Sequence, residues 1–214
     1  MKLAVGGMIA SGKSTLTKEM ARYFEMPLLE EFNQDDEVFN TLLTWLYEGK
    51  PNVEMLLQIY FINQHWASQK ALGHHIVVDR HIIEHWIFAQ VNLKKHPEVL
   101  NMYNALYHQY MNSIDHPDLY IILEMNWKTF VERIMKRGRE QEIENFSRNE
   151  QYFKDLFENY TDKLISQCII YDIPFYVVET DDLDEEEVAD IAIQTIELYF
   201  RNEDVTGKDE GNLN

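Results

Sequence analysis

Apolar residues along this chain are grouped in two ways. Short runs without polar alternation occur at Lys2 to Gly6, Pro27 to Glu31, His75 to Asp79, Leu119 to Glu124 and Phe175 to Glu179. After each, apolar positions recur at helical spacing. Strands alternating with helices predict right-handed crossovers and a parallel sheet covered on both faces, which accounts for runs such as Ile76-Val77-Val78 and Tyr120-Ile121-Ile122-Leu123. The fold class expected is α/β, a five-stranded parallel sheet flanked by helices. The segment from Phe32 to Gly73 predicts two helices, one of them carrying Val53 to Ile62. Leu100 to Ile114 and Tyr152 to Ile170 each predict an amphipathic helix, the second with Tyr152, Phe153, Leu156, Phe157, Tyr160, Leu164 and Ile165 on a core-facing stripe. Residues 1–201 read as one domain. The stretch 202–214 has no apolar period and carries Gly207 and Gly211, which predicts a flexible tail.

Composition narrows the function classes. With 214 residues and 45% apolar content, the chain can bury the core of one enzyme-sized domain. Its formal net charge of -18 argues against a nucleic acid polymer or an acidic membrane as partner, since both are met by clustered Lys and Arg. The single cysteine, Cys168, excludes an internal disulfide and reads as a small buried hydrophobe, in keeping with a reducing cytoplasm. There is no apolar run of about 18 residues to cross a bilayer, and no signal-peptide pattern, so a cytoplasmic location is expected.

Against that acidic background, an anionic ligand must be held by local positive charge. Gly7-Met8-Ile9-Ala10-Ser11-Gly12-Lys13-Ser14 fits the phosphate-loop pattern and lies between an apolar strand and a helix start that includes Thr15. Such a loop turns backbone N–H groups and a helix N-terminus toward phosphate oxygens. Lys13 would reach the outer phosphates of ATP, and Ser14 would supply an oxygen to Mg2+. The third strand ends in Asp79-Arg80, an acid for the metal and a cation for the transferring phosphoryl group. Glu124 is a weaker metal candidate. The second strand ends in Glu30-Glu31, either of which can act as general base. Five of the nineteen basic residues, Lys128, Arg133, Lys136, Arg137 and Arg139, fall within twelve positions, which predicts an arginine-rich lid pivoting at Gly138.

Together these residues resemble the deoxynucleoside kinases, over nearly the whole chain, and so imply a P-loop kinase with ATP and Mg2+ as cofactors. The resemblance aligns the family's Glu-Pro-Val stretch with Glu30-Glu31-Phe32, which makes Glu30 the implied base for the 5'-hydroxyl of a deoxynucleoside. Asp79-Arg80-His81 corresponds to the acid-Arg-Ser motif, implying a metal role for Asp79 and contact with the 5'-oxygen for Arg80. The lid pattern falls on Arg133, Arg137 and Arg139, with Glu142 and Tyr47 implied at the 3'-hydroxyl. Gln58 falls on the glutamine that bonds the base and Phe88 on the phenylalanine that stacks on it. Thr180 to Leu183, with Asp181, matches the loop beside the adenine of ATP. A homodimer through the long helices is also implied, with Trp66 or Tyr107 as contacts.

The departures from the family fall mostly at the base. His65 and His85 stand where relatives carry an arginine and an aspartate, while His81 replaces a serine and Glu31 a proline. Losing both members of a charged pair together avoids an unpaired buried charge, which costs about 3 to 5 kcal/mol. Either imidazole can donate or accept. The function implied is ATP-dependent phosphorylation of a deoxynucleoside, deoxyadenosine or deoxyguanosine. Its rivals are a nucleoside monophosphate kinase resembling thymidylate kinase, which the acidic Glu30-Glu31 pair disfavours, and a non-catalytic nucleotide-binding subunit of the same fold.

Overall fold

The computed structural model describes residues 1–31, 36–48, 50–71, 73–137, 146 and 150–209; the side chains at 43, 47, 137 and 202–209 lie outside that description. Five parallel strands form one sheet in the order β2-β3-β1-β4-β5: β1 (Lys2–Gly7), β2 (Leu28–Leu29), β3 (Ile76–Asp79), β4 (Leu119–Glu124) and β5 (Phe175–Glu179). The chain fills one side of β1 with β3 and β2, then crosses to β4 on the other. The loop after β1 therefore opens at the point where the winding reverses, the position at which such sheets receive ligands.

Period-two alternation divides the apolar residues between two cores. Leu3, Val5, Val77, Ile121 and Leu123 face α1 (Lys13–Tyr23) and the terminal helix, whereas Ala4, Ile76, Val78, Tyr120 and Ile122 face the opposite layer. That layer is built from α3 (Val53–Ala71), α4 (Ile82–Asn92), α5 (Pro97–Met111) and α6 (Trp127–Arg137), with α7 (Glu150–Phe157) and α8 (Tyr160–Ile170). Burial on both faces explains why the strand runs lack polar alternation. The helix α2 (Glu37–Tyr47) starts at Asp36, whose carboxylate accepts the Phe39 N–H at 3.0 Å.

Three features differ from the expectations. The stretch from Tyr152 to Ile170 is two helices: α7 ends at Phe157 and α8 begins at Tyr160, with Asn159 flanking its start and making no side-chain cap hydrogen bond. The stripe still packs inward, with Phe153, Leu156, Tyr160 and Leu164 buried. The last helix, α9 (Glu185–Asp209), carries helical backbone through most of the stretch expected as a tail, and 210–214 lie outside the described residues. Tyr107, expected at a dimer contact, is buried within one chain and donates its hydroxyl to Gln167 at 2.8 Å, so it cannot meet a partner. Trp66 stacks on Tyr110 and donates to Ser113.

Candidate active site

The loop from Gly7 to Thr15 has the backbone its sequence requires. Gly7 adopts φ +145°, and a Cβ there would sit 2.5 Å from the carbonyl oxygen of Leu123 on β4. Gly12 adopts φ +96° and leads directly into α1, whose first turn has no side-chain cap. An uncapped helix start with αL glycine before it leaves N–H groups directed outward, an anion site made by backbone alone. Met8 and Ser11 are buried, Ile9, Ala10 and Thr15 half-buried, and Gly12 and Ser14 exposed. Lys13 is buried and its Nζ donates to the carbonyl of Met8 at 2.9 Å. Burial, with the Arg80 guanidinium nearby, lowers its ammonium to about 8.

Arg80 leaves the end of β3 in the left-handed region at φ 72°, while its N–H extends the β1–β3 pairing to Val5 O at 3.0 Å. A non-glycine residue in that region is strained, and strain of this kind gathers at functional sites. The guanidinium is bracketed by two carboxylates: Nε lies 2.6 Å from Glu31 and Nη1 2.7 Å from Glu84. Nη1 also meets the Tyr160 hydroxyl, and the guanidinium lies 5.2 Å from the ring centre of Phe88. The structure brings Glu31, not Glu30, into this cluster. Glu30 is solvent-facing, with Lys18 at 3.8 Å, because neighbouring side chains of an extended chain project to opposite sides. Burial pushes the Glu31 carboxyl above its ordinary value, against the pull of Arg80 and Lys13. Asp79, beside Arg80, is buried and its Oδ1 has no hydrogen-bond partner among the described residues. A buried carboxylate oxygen left open in this way fits a hard-cation ligand, as does the exposed hydroxyl-bearing Ser14.

Behind Arg80, α3 and α4 bring the two departing histidines together. His65 Nδ1 lies 2.7 Å from His85 Nε2, both rings are buried, and Phe61 stacks on His85. A hydrogen bond between neutral rings thus joins the two histidines that the sequence marked as departures from the family pattern. Burial first, then the charges of Arg80 and Lys2, lowers His65 to about 3; burial and His65 keep His85 well below its usual range. Gln58 is buried on the same face of α3 as His65. Phe88 is half-buried and meets Tyr160 edge-on at 5.9 Å. The backbone of Tyr47 ends α2, but its side chain lies outside the described residues.

The expected lid is described only in part. Arg133, on α6, donates through Nη1 to Thr180 Oγ1 at 2.9 Å and to Ser11 O at 3.5 Å, and through Nη2 to Thr180 O at 2.5 Å. It thereby ties α6 to the phosphate loop and to the segment after β5. Asp181, expected beside adenine, accepts the Asn126 N–H at 2.9 Å just before α6. The side chain of Arg137, and Gly138, Arg139 and Glu142 entirely, lie outside the described residues.

Sequence reasoning missed Glu84, a fully buried carboxylate that accepts four hydrogen bonds at the site. Its Oε2 accepts from Gly7 N at 3.0 Å, Tyr160 OH at 2.6 Å and Arg80; its Oε1 accepts from Tyr120 OH at 2.7 Å. A signal existed, because Glu84 is the one carboxylate in the stretch from Ile82 to Leu93, where Ile82, Ile83, Trp86, Ile87, Phe88, Ala89, Val91 and Leu93 are apolar.

A phosphate loop after the central strand, with a lysine, an arginine and carboxylates converging beside it, defines a P-loop phosphotransferase. The family model for deoxynucleoside kinase matches residues 3–198, and the chain belongs to the deoxynucleoside kinase family. It is 31% identical to the deoxyguanosine kinase of Lactobacillus johnsonii over 169 residues, 74% of each chain. An uncharacterised protein of Mycoplasma pneumoniae is 31% identical over 92% of this chain and 88% of its own. Among solved structures, deoxyadenosine kinase from M. mycoides with bound dCTP superposes with a TM-score of 0.74 at 26% identity, covering 92% of this chain and 99% of that one. The chain is thus an enzyme, a kinase acting on a hydroxyl group.

Proposed function

We propose that this kinase transfers the γ-phosphate of ATP to the 5'-hydroxyl of a purine deoxynucleoside, deoxyadenosine or deoxyguanosine. The single observation that carries the reading is the Glu31–Arg80 ion pair at the mouth of the loop that holds Lys13. A carboxylate there accepts the proton of an approaching hydroxyl, and the adjacent guanidinium meets the charge that develops as the phosphoryl group moves. Loop amides and Lys13 hold the donor, with Lys13 exchanging its Met8 carbonyl for phosphate oxygen. Ser14 and Asp79 would hold Mg2+, which would supply positive charge against the phosphate oxygens. Gln58, Phe88 and the His65–His85 pair form the base end, Tyr47 and Glu142 the 3'-hydroxyl contact, and Arg137 and Arg139 the closing lid. Similarity to deoxyguanosine and deoxyadenosine kinases supports the purine assignment. A homodimer through α3 and α5, whose Leu56 and Met102 are exposed, belongs to the same reading and is checked by light scattering.

The experiment is a substrate panel. ATP labelled at the γ-phosphate is incubated with deoxyadenosine, deoxyguanosine, deoxycytidine, thymidine and thymidine monophosphate. Labelled purine deoxynucleoside 5'-monophosphate as main product supports the proposal. Label passing only to thymidine monophosphate, or to nothing although ATP binds, overturns it.

A further inference from the structure

We propose that Glu84 is a positioning residue that locks Arg80 to the phosphate loop, so that the arginine is aimed only while the first glycine of the loop is in place. The proposal rests on the phosphotransfer reading above. Glu84 is fully buried, and one of its oxygens, Oε2, simultaneously receives the N–H of Gly7, the phenol of Tyr160 and Nη1 of Arg80. Gly7 belongs to β1, Arg80 to the end of β3 and Tyr160 to the start of α8. One oxygen atom therefore joins the loop that meets the donor to the cation that meets the transferred group.

The chemistry of the guanidinium gives this arrangement its consequence. Arg80 has a fixed planar fork. Glu31 lies 2.6 Å from Nε as an ion pair and Glu84 accepts a hydrogen bond from Nη1, while Nη2 has no protein partner among the described residues. With two corners pinned, the third is directed by geometry rather than by search, and a donor held in advance costs no reorganisation at the moment of transfer. Tyr160 completes a ring of three, accepting from Arg80 and donating to Glu84. The break between α7 and α8 sets Tyr160 at the helix start where this is possible. The strained φ of Arg80 is compatible with such a lock, since the surrounding bonds over-determine the residue.

Glu84 also has a bond on its other oxygen that provides the control. Tyr120 donates to Oε1, and its hydroxyl accepts the His81 N–H at 3.4 Å. Replacing it by phenylalanine removes these two buried contacts while leaving the three bonds to Oε2 whole.

The test compares Glu84→Gln with Tyr120→Phe, reading kcat, both KM values, melting temperature and the position of Arg80 in crystals of Glu84→Gln. In Glu84→Gln one amide oxygen still faces Gly7, Tyr160 and Arg80 but the negative charge that holds the guanidinium is lost, so kcat is expected to fall about 100-fold, with the deoxynucleoside KM within about threefold. Tyr120→Phe should lower the melting temperature with kcat within about threefold. Should Glu84→Gln not fold, Tyr160→Phe replaces it, with an expected kcat loss of about tenfold. Unchanged kcat in the Glu84 or Tyr160 variant, or loss of activity in Tyr120→Phe that matches Glu84→Gln, overturns the proposal. If the unaltered enzyme phosphorylates no deoxynucleoside, the functional reading fails separately. Arg80 swung away from Glu31 in the Glu84→Gln crystal, or in the Tyr160→Phe crystal should that variant replace it, then still supports the lock, and Arg80 in its original place overturns it.

Discussion

Glu30 and Glu31 are one position apart in sequence and on opposite sides of the chain in space. Only Glu31 reaches Arg80. Replacing Glu31 by Gln should lower kcat by roughly 100 to 10,000-fold with little change in deoxynucleoside KM, whereas Glu30→Gln should stay within about threefold of the parent. Steady-state assays on the two variants decide this; equal losses would remove Glu31 from its role. The histidine pair gives a pH prediction. Unfolded imidazoles protonate near 6.5, while buried His65 stays neutral down to about 3 and His85 is also held neutral by burial. Below neutrality the unfolded chain therefore binds more protons, and stability must fall as pH falls through 6.5. From pH 7.5 to 5.5 two such histidines contribute a loss of roughly 2 to 3 kcal/mol, seen as a lower urea midpoint. A midpoint that holds steady, or a loss that persists in His65→Gln/His85→Gln, speaks against it. The resemblance pointed to Glu30, whereas the glutamate that reaches Arg80 is its neighbour Glu31, because which of the two faces the cleft depends on how the chain turns after β2.

At the scale of elements, α6 links the site to the rest of the protein. Its Phe130 is fully buried among Trp127, Phe146, Phe153 and Phe157, with ring centres 5.1 to 6.2 Å apart. Phe130→Ala should cost about 3 to 5 kcal/mol in chemical unfolding, and a cost below about 1 kcal/mol would mean the cluster is not a packed unit. Arg133→Met should raise the ATP KM by about tenfold while kcat moves less, since Arg133 braces Ser11 and Thr180 together. An unaltered ATP KM would confine Arg133 to holding α6. The strands were legible because burial on both faces leaves uninterrupted apolar runs. The break before Tyr160 was not, because the buried stripe of Phe153, Leu156, Tyr160 and Leu164 runs across it without interruption. Glu84 was readable as an acid inside an apolar helix, yet its partners come from β1, β4 and α8, which no local pattern brings together.

For the whole molecule, the winding around β1 explains why the site is where it is. An acidic chain, with a formal net charge of -18, gathers Lys13 and Arg80 at the one edge where strand order reverses and encloses them with Glu31, Asp79 and Glu84. The cations are balanced by carboxylates before any ligand arrives, so the crevice is suited to a neutral hydroxyl approaching a phosphate chain held from the opposite side. Among the described residues no helix is long and apolar enough to cross a membrane. The most direct measurement is a crystal structure with deoxyadenosine and a non-hydrolysable ATP analogue bound together. The account predicts the 5'-oxygen within hydrogen-bond distance of Glu31 and of Arg80, with the terminal phosphates along Gly7 to Thr15. A deoxynucleoside whose 5'-oxygen lies away from both, with the loop occupied, would contradict it.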